Sequence, residues 1–262
     1  MKTQIIALAL FATLPAHAAD TVQIGKAVVK NKDVDVPVEI AVPAGKGPFP
    51  PVLYIHAKRG YDPEVDTPHI RTLAEQGFLV VAPDWQSGRF IERWPSSHNP
   101  ESELDVEAAL DFLLRMPEAC RIPAGIVGYS RGGYYAIRLA AKRPKDIAAI
   151  AAYAGHMQNP NAPEPEQLFS IAPEVNQITA PLLLLIGDQD FELRRMNGGR
   201  AFYALYERGV PTELQTYPLA RRAFDFRKDQ TPEEAIAARH ARQRVRDWLF
   251  RFLEVDKSGT CK

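Results

Sequence analysis

Gly128-Tyr129-Ser130-Arg131-Gly132 stands between an apolar run and a helix-like one. A serine with glycines two residues before and two after has the spacing of a nucleophile held on a sharp strand-to-helix turn. Such a serine adopts a strained backbone, and small neighbours avoid the clash that this conformation brings. Its hydroxyl then stands above a helix N-terminus, where free N–H groups favour a developing anion. The chemistry this suggests is acyl transfer through a covalent intermediate. It needs a base, an acid to orient that base, and two N–H donors for the oxyanion.

Carboxylates for the acid follow the most hydrophobic run of the chain. Pro181 to Ile186 leads into Gly187-Asp188-Gln189-Asp190. Either aspartate fits, and capping the next helix is the competing use. For the base, His156 ends the apolar run after the nucleophile helix, so it belongs at the same edge. It reads first as a substrate-binding residue at the rim and, among the histidines, is the best substitute for the base. His56, His69 and His98 lie in or beside loops, and His240 lies inside the last helix-like segment. None stands at metal-ligand spacing with a second histidine or a cysteine, so neither a metal nor a cofactor is expected.

These residues need a scaffold. The valine-rich run 22–30, the turn Asn31-Lys32-Asp33 and the alternating run 34–42 read as an opening antiparallel hairpin. Apolar runs at 51–56, 78–84, 124–127, 147–153, 181–187 and 212–217 then alternate with helical patterns. The first helix is expected from a cap at Asp66 or Thr67 to Gln76, with Gly77 as its stop. Others are expected from Ser102 or Glu103 to Met116, over Gly132 to Ala141, and over Met196 to Arg208. The last opens at the capping box Thr231-Pro232-Glu233-Glu234. The alternation predicts a mostly parallel, doubly wound α/β sheet in one domain, with its site at the carboxyl ends of the strands. The proline-rich stretch 156–179 is a long connection where such folds carry a lid or rim.

With the serine turn and Gly-Asp-Gln-Asp in this order, the chain resembles the dienelactone-hydrolase-like branch of the α/β-hydrolase superfamily. The resemblance implies a single α/β-hydrolase domain over residues 19–262, a serine hydrolase activity, and a small-molecule ester as substrate. It implies Asp190 as the triad acid. It implies oxyanion donors in the backbone N–H of Arg131 and in that of Ala57 or Lys58, within His56-Ala57-Lys58-Arg59-Gly60. Tyr-Pro-Gly-Ala-x-His-x-Phe, common in that branch, aligns with Tyr217-Pro218-Leu219-Ala220-Arg221-Arg222-Ala223-Phe224. Arg222 therefore occupies the histidine position. A guanidinium does not accept a proton near neutral pH. It can instead pair with Asp190. Losing the base of such a triad costs on the order of 10⁶ in kcat, so either another base serves Ser130 or the fold binds a small ligand without turnover. A peptidase or an acyltransferase would use the same parts.

Tyr129, Trp85 and Trp94 are candidates to line an acyl or aryl pocket, the tryptophans with packing of their loop as the alternative. Arg131, Arg194 and Arg195 are candidates to attract a carboxylate, or else solvated surface residues. Basic and acidic residues balance at 32 each among 262, which gives no support for nucleic acid as a partner. Lys2, the apolar run Ile5 to Ala12 and Ala16-His17-Ala18 read as a cleaved signal segment over residues 1–18. The run is too short for stable membrane insertion, and the expected location is a bacterial periplasm or outside the cell. Cys120 precedes the nucleophile strand and Cys261 follows the last helix, so both belong at the edge opposite the site. A disulfide between them is expected.

Overall fold

Alternating side chains set the opening of the chain. β1 (Gln23–Asn31) and β2 (Val34–Val42) pair antiparallel from Gln23 opposite Val42 to Asn31 opposite Val34. Lys32 takes left-handed backbone at their turn (φ 53°). Val29, Val36, Val38 and Ile40 are buried while Lys26 and Lys30 stay in water, the two-residue period of a half-covered sheet. The computed structural model describes residues 21–255 and Cys261; the expected signal segment lies outside the described residues.

The remaining elements are β3 (Pro51–Ile55), α1 (Pro63–Glu75), β4 (Leu79–Pro83), α2 (Ser102–Arg115), β5 (Ala124–Tyr129), α3 (Arg131–Lys142) and β6 (Ile147–Tyr153). After them come α4 (Glu164–Phe169), β7 (Leu182–Gln189), α5 (Glu192–Glu207), β8 (Thr212–Arg221) and α6 (Pro232–Phe252). The eight strands run in the order β1-β2-β4-β3-β5-β6-β7-β8. β2 is antiparallel to β4, whereas β3 with β4, β6 with β7 and β7 with β8 are parallel. This is the single-domain, mostly parallel α/β fold that the alternation predicts. Its packing falls into two compact units. One holds the described residues up to Ala124 with Glu254, Val255 and Cys261; the other is Gly125–Leu253.

In the first unit, α1 starts earlier than the sequence suggests. Asp62 is its cap, accepting from the Glu64 N–H, and Pro63 fills the first position, where a missing N–H costs nothing. Asp66 is buried, accepting from the Tyr54 hydroxyl (2.6 Å), Arg59 Nη2 (2.7 Å) and the Asp62 N–H (2.8 Å). Cys120 and Cys261 are disulfide-bonded with their Cα atoms 5.9 Å apart, as expected. Phe49 bridges Ala119, and Val255 bridges Cys261.

In the second unit, β5 and the Leu182–Ile186 stretch of β7 are wholly buried, which their unbroken apolar runs require. Thr231 and Glu234 cap α6 reciprocally, as the capping box predicts. Two elements exceed their expected bounds. α5 begins four residues before Met196, which puts Arg194 in its first turn. β8 continues to Arg221, which pairs with Gln189 past a bulge in β7. Asp190 and Arg222 are therefore the next residues on two adjacent parallel strands. Ser130, His156, Asp190 and Arg222 follow the carboxyl ends of β5, β6, β7 and β8. The proline-rich connection folds into short α4 and a 3₁₀ turn over Pro173–Asn176.

Candidate active site

Ser130 holds φ 52° and ψ −109°, an unfavourable conformation for a residue with a side chain. Its N–H donates to the Tyr153 carbonyl (2.9 Å), and its own carbonyl accepts from the N–H groups of Gly133 (3.1 Å) and His156 (2.9 Å). A Cβ on Gly128 would lie 2.6 Å from the Gly132 carbonyl oxygen, and one on Gly133 would lie 2.7 Å from Gly155 Cα. The glycines thus let the turn close and let the segment after β6 approach it. That approach brings His156 to the serine.

The side chains interlock around the Ser130 hydroxyl. His156 Nε2 lies 3.1 Å from Ser130 Oγ, and Arg222 Nη2 donates to Oγ at 3.0 Å. Arg194 Nη2 lies 2.5 Å from His156 Nε2. A guanidinium only donates, so Nε2 is the accepting nitrogen and the imidazole proton sits on Nδ1. Ser130 Oγ accepts from Arg222 and, with Arg194, is a donor within reach of Nε2. Asp190 Oδ1 accepts the Phe191 N–H (2.6 Å) and lies 4.0 Å from Arg222 Nε. The Arg222 guanidinium also sits 4.8 Å over the Phe191 ring.

This cluster is electropositive. Burial, then the neighbouring Arg222 charge, lowers the Arg194 guanidinium to about 9. Burial also lowers Arg131, whereas it raises Asp190 against the pull of Arg222, Arg194 and Arg195. Arg194 is only 6% exposed, and its Nε and Nη1 have no hydrogen-bond partner among the described residues. Arg131 and Arg194 are therefore buried, not solvated surface residues, and this corrects the surface alternative for both.

The other sequence candidates are placed as follows. Tyr129 is buried, stacks on Tyr153 (centroids 4.4 Å apart), and its hydroxyl lies 3.4 Å from Asp225 Oδ2. The Arg131 backbone N–H is in the first turn of α3, immediately after Ser130. Asp188 is half-buried at the penultimate position of β7. In the first unit, Trp85 is 2% exposed, stacks on His56 (4.9 Å) and donates to the His56 carbonyl (3.3 Å), so its ring is used in packing. Trp94 is 60% exposed and donates its backbone N–H to the Lys58 carbonyl (2.9 Å). Ala57 and Lys58 lie just after β3, with the Gly60 N–H donating to the Ala57 carbonyl (3.2 Å). Asp225, absent from the sequence reading, is buried between Tyr129 and Arg242, and burial raises its carboxyl to about 6.

With Ser130 after β5 and Asp190 after β7, the chain can be set beside known proteins. The profile of the Dienelactone hydrolase family matches residues 36–253. The chain belongs to that family. A dipeptidyl-peptidase 5 of Porphyromonas gingivalis is 27% identical over 180 residues, 57% of this chain and 26% of the peptidase. The match thus spans about a quarter of that relative's length. Among solved structures, a dienelactone hydrolase from Anabaena variabilis superposes with a TM-score of 0.67 at 20% identity, covering 89% of this chain and 99% of that one. An acylaminoacyl peptidase of Pyrococcus horikoshii gives a TM-score of 0.72 at 17% identity, covering 90% of this chain and 43% of the peptidase. The profile shows membership of a hydrolase family; the structural likenesses, each under 25% identical, bear on the fold alone.

Proposed function

We propose that the protein is an exported carboxylic-ester hydrolase that works through an acyl-enzyme on Ser130, with His156 as the proton carrier and Arg222 in place of the family's histidine. The observation that carries this reading is the position of Ser130 Oγ, 3.1 Å from an accepting imidazole nitrogen and 3.0 Å from a donating guanidinium. His156 Nε2 takes the hydroxyl proton as Oγ attacks the ester carbonyl. The Arg131 N–H, at the start of α3, stabilises the oxyanion. The carbon–oxygen bond to the leaving alcohol then breaks, and His156 returns the proton to it. Water repeats the sequence in reverse and frees the acid. Arg222 does not move a proton in this scheme. Its N–H steadies negative charge on Oγ, and Asp190 offsets its charge. Export is part of the proposal, supported by the leader-like residues 1–18 and by the disulfide, which suits an oxidising compartment.

The test is turnover of p-nitrophenyl esters, one neutral and one bearing a carboxylate. Ser130→Ala is expected at background, and His156→Ala is expected to lose on the order of 10⁶ in kcat. Wild-type turnover in His156→Ala would overturn the role of His156. A second reading, a ligand-binding protein without turnover, is favoured by the arginine contacts to both Ser130 Oγ and His156 Nε2. Fluorophosphonate labelling separates the two, since only an activated Ser130 reacts.

A further inference from the structure

We propose that Arg194 masks the His156 base and is drawn off it by a small carboxylate, carried by the substrate or free in solution. The inference rests on the role of His156 given above. A neutral imidazole has one lone pair, and at Nε2 two donors compete for it. Arg194 Nη2 stands at 2.5 Å and Ser130 Oγ at 3.1 Å. The Arg194 contact is charge-assisted and therefore holds the lone pair more strongly. While it lasts, Nε2 is a poor acceptor for the serine proton.

Arg194 has reasons to leave. It is buried with two guanidinium nitrogens lacking hydrogen-bond partners among the described residues, which is costly for a cation. It stands in the first turn of α5, a sixteen-residue helix, where the backbone dipole already favours negative charge. Arg222 and Arg131 add repulsion. Asp190 offers attraction, but its Oδ1 is engaged by the Phe191 N–H and faces Arg222, and its Oδ2, without a hydrogen-bond partner among the described residues, is not bonded to Arg194. A carboxylate entering beside Ser130 supplies what these groups lack. The Arg194 N–H then moves from Nε2 to a carboxylate oxygen, and Nε2 becomes free for the Ser130 proton.

Two measurements test this. In Ser130→Ala protein labelled with ¹⁵N-histidine, the His156 Nε2 resonance is expected to shift and saturate as acetate is added, and to stay fixed in Ser130→Ala/Arg194→Met. This readout needs no turnover, so it stands whether or not the hydrolase reading holds. In active protein, acetate is expected to speed hydrolysis of neutral p-nitrophenyl acetate about ten- to hundredfold, the worth of one charge-assisted hydrogen bond. Arg194→Met is expected to be fast without acetate and indifferent to it. Mono-p-nitrophenyl glutarate distinguishes the sources. If its own carboxylate releases the mask, its rate is high without acetate; if only a free anion fits, it responds to acetate as the neutral ester does. An Nε2 resonance that ignores acetate, or one that responds equally without Arg194, overturns the proposal. So does an acetate effect on rate that persists in Arg194→Met.

Discussion

Arg222 concentrates the chemical question in one side chain. Its guanidinium reaches Ser130 Oγ, Asp190 and the Phe191 ring, so it is well seated where an imidazole would sit. If His156 carries the proton, Arg222 contributes through its N–H alone. Arg222→Ala is then expected to lower kcat on the order of 10²–10³ with little change in KM, the size of effect seen for one lost electrostatic donor. Arg222→His is expected to stay within about tenfold of Arg222→Ala. A rise of several orders of magnitude in Arg222→His would mean that the base is missing from the natural chain and that His156 does not replace it. Steady-state kinetics on these two variants and His156→Ala decide the matter.

At the scale of elements, the turn carrying Arg222 is anchored by the start of α6. Glu234 is buried and accepts from the Arg221 N–H (3.0 Å), Arg221 Nε (2.8 Å) and Nη2 (2.6 Å), while also completing the cap with Thr231. These hydrogen bonds, those from Arg221 foremost, hold its carboxyl down at about 2. A depressed carboxyl adds stability that is complete above its unfolded value, about 4.3, and is lost as pH falls toward 2. The Tm of Glu234→Gln is therefore expected to lie well below that of the wild type at neutral pH, with the gap closing below pH 4. A gap independent of pH would refute this anchor. The capping box was legible in the sequence because its parts lie within four residues. So were the serine turn, the acid after β7 and the register that places arginine at position 222. Contacts distant along the chain were not legible. Asp66 looks like a helix cap, yet Tyr54 and Arg59 bury it. His156 looks like a rim residue until the Gly133–Gly155 approach carries it to Ser130. Arg194 looks solvated until α5 starts early enough to bury it.

For the whole molecule, the disulfide is the long-range constraint, closing a sequence separation of 141 residues. It ties the chain end after α6 to the segment just before β5, and the entire second compact unit lies inside the loop it closes. A cross-link acts mainly by restricting the unfolded chain, and for a loop this long the entropic stabilisation is on the order of 5 kcal/mol at most. Beside the bond, Val255 bridges Cys261 backbone to backbone, and Cys261 Sγ lies 3.6 Å from the Pro48 carbonyl oxygen. The native fold should therefore survive loss of the bond, while its resistance to denaturant should fall. Urea unfolding of Cys120→Ser/Cys261→Ser against the oxidised wild type is expected to show a lower midpoint, with the same far-UV circular dichroism before the transition. Equal midpoints would mean that the cross-link does not constrain the unfolded chain. A lower midpoint, together with absence of free thiols in protein taken from its natural compartment, would tie the stability of this hydrolase to export into an oxidising space.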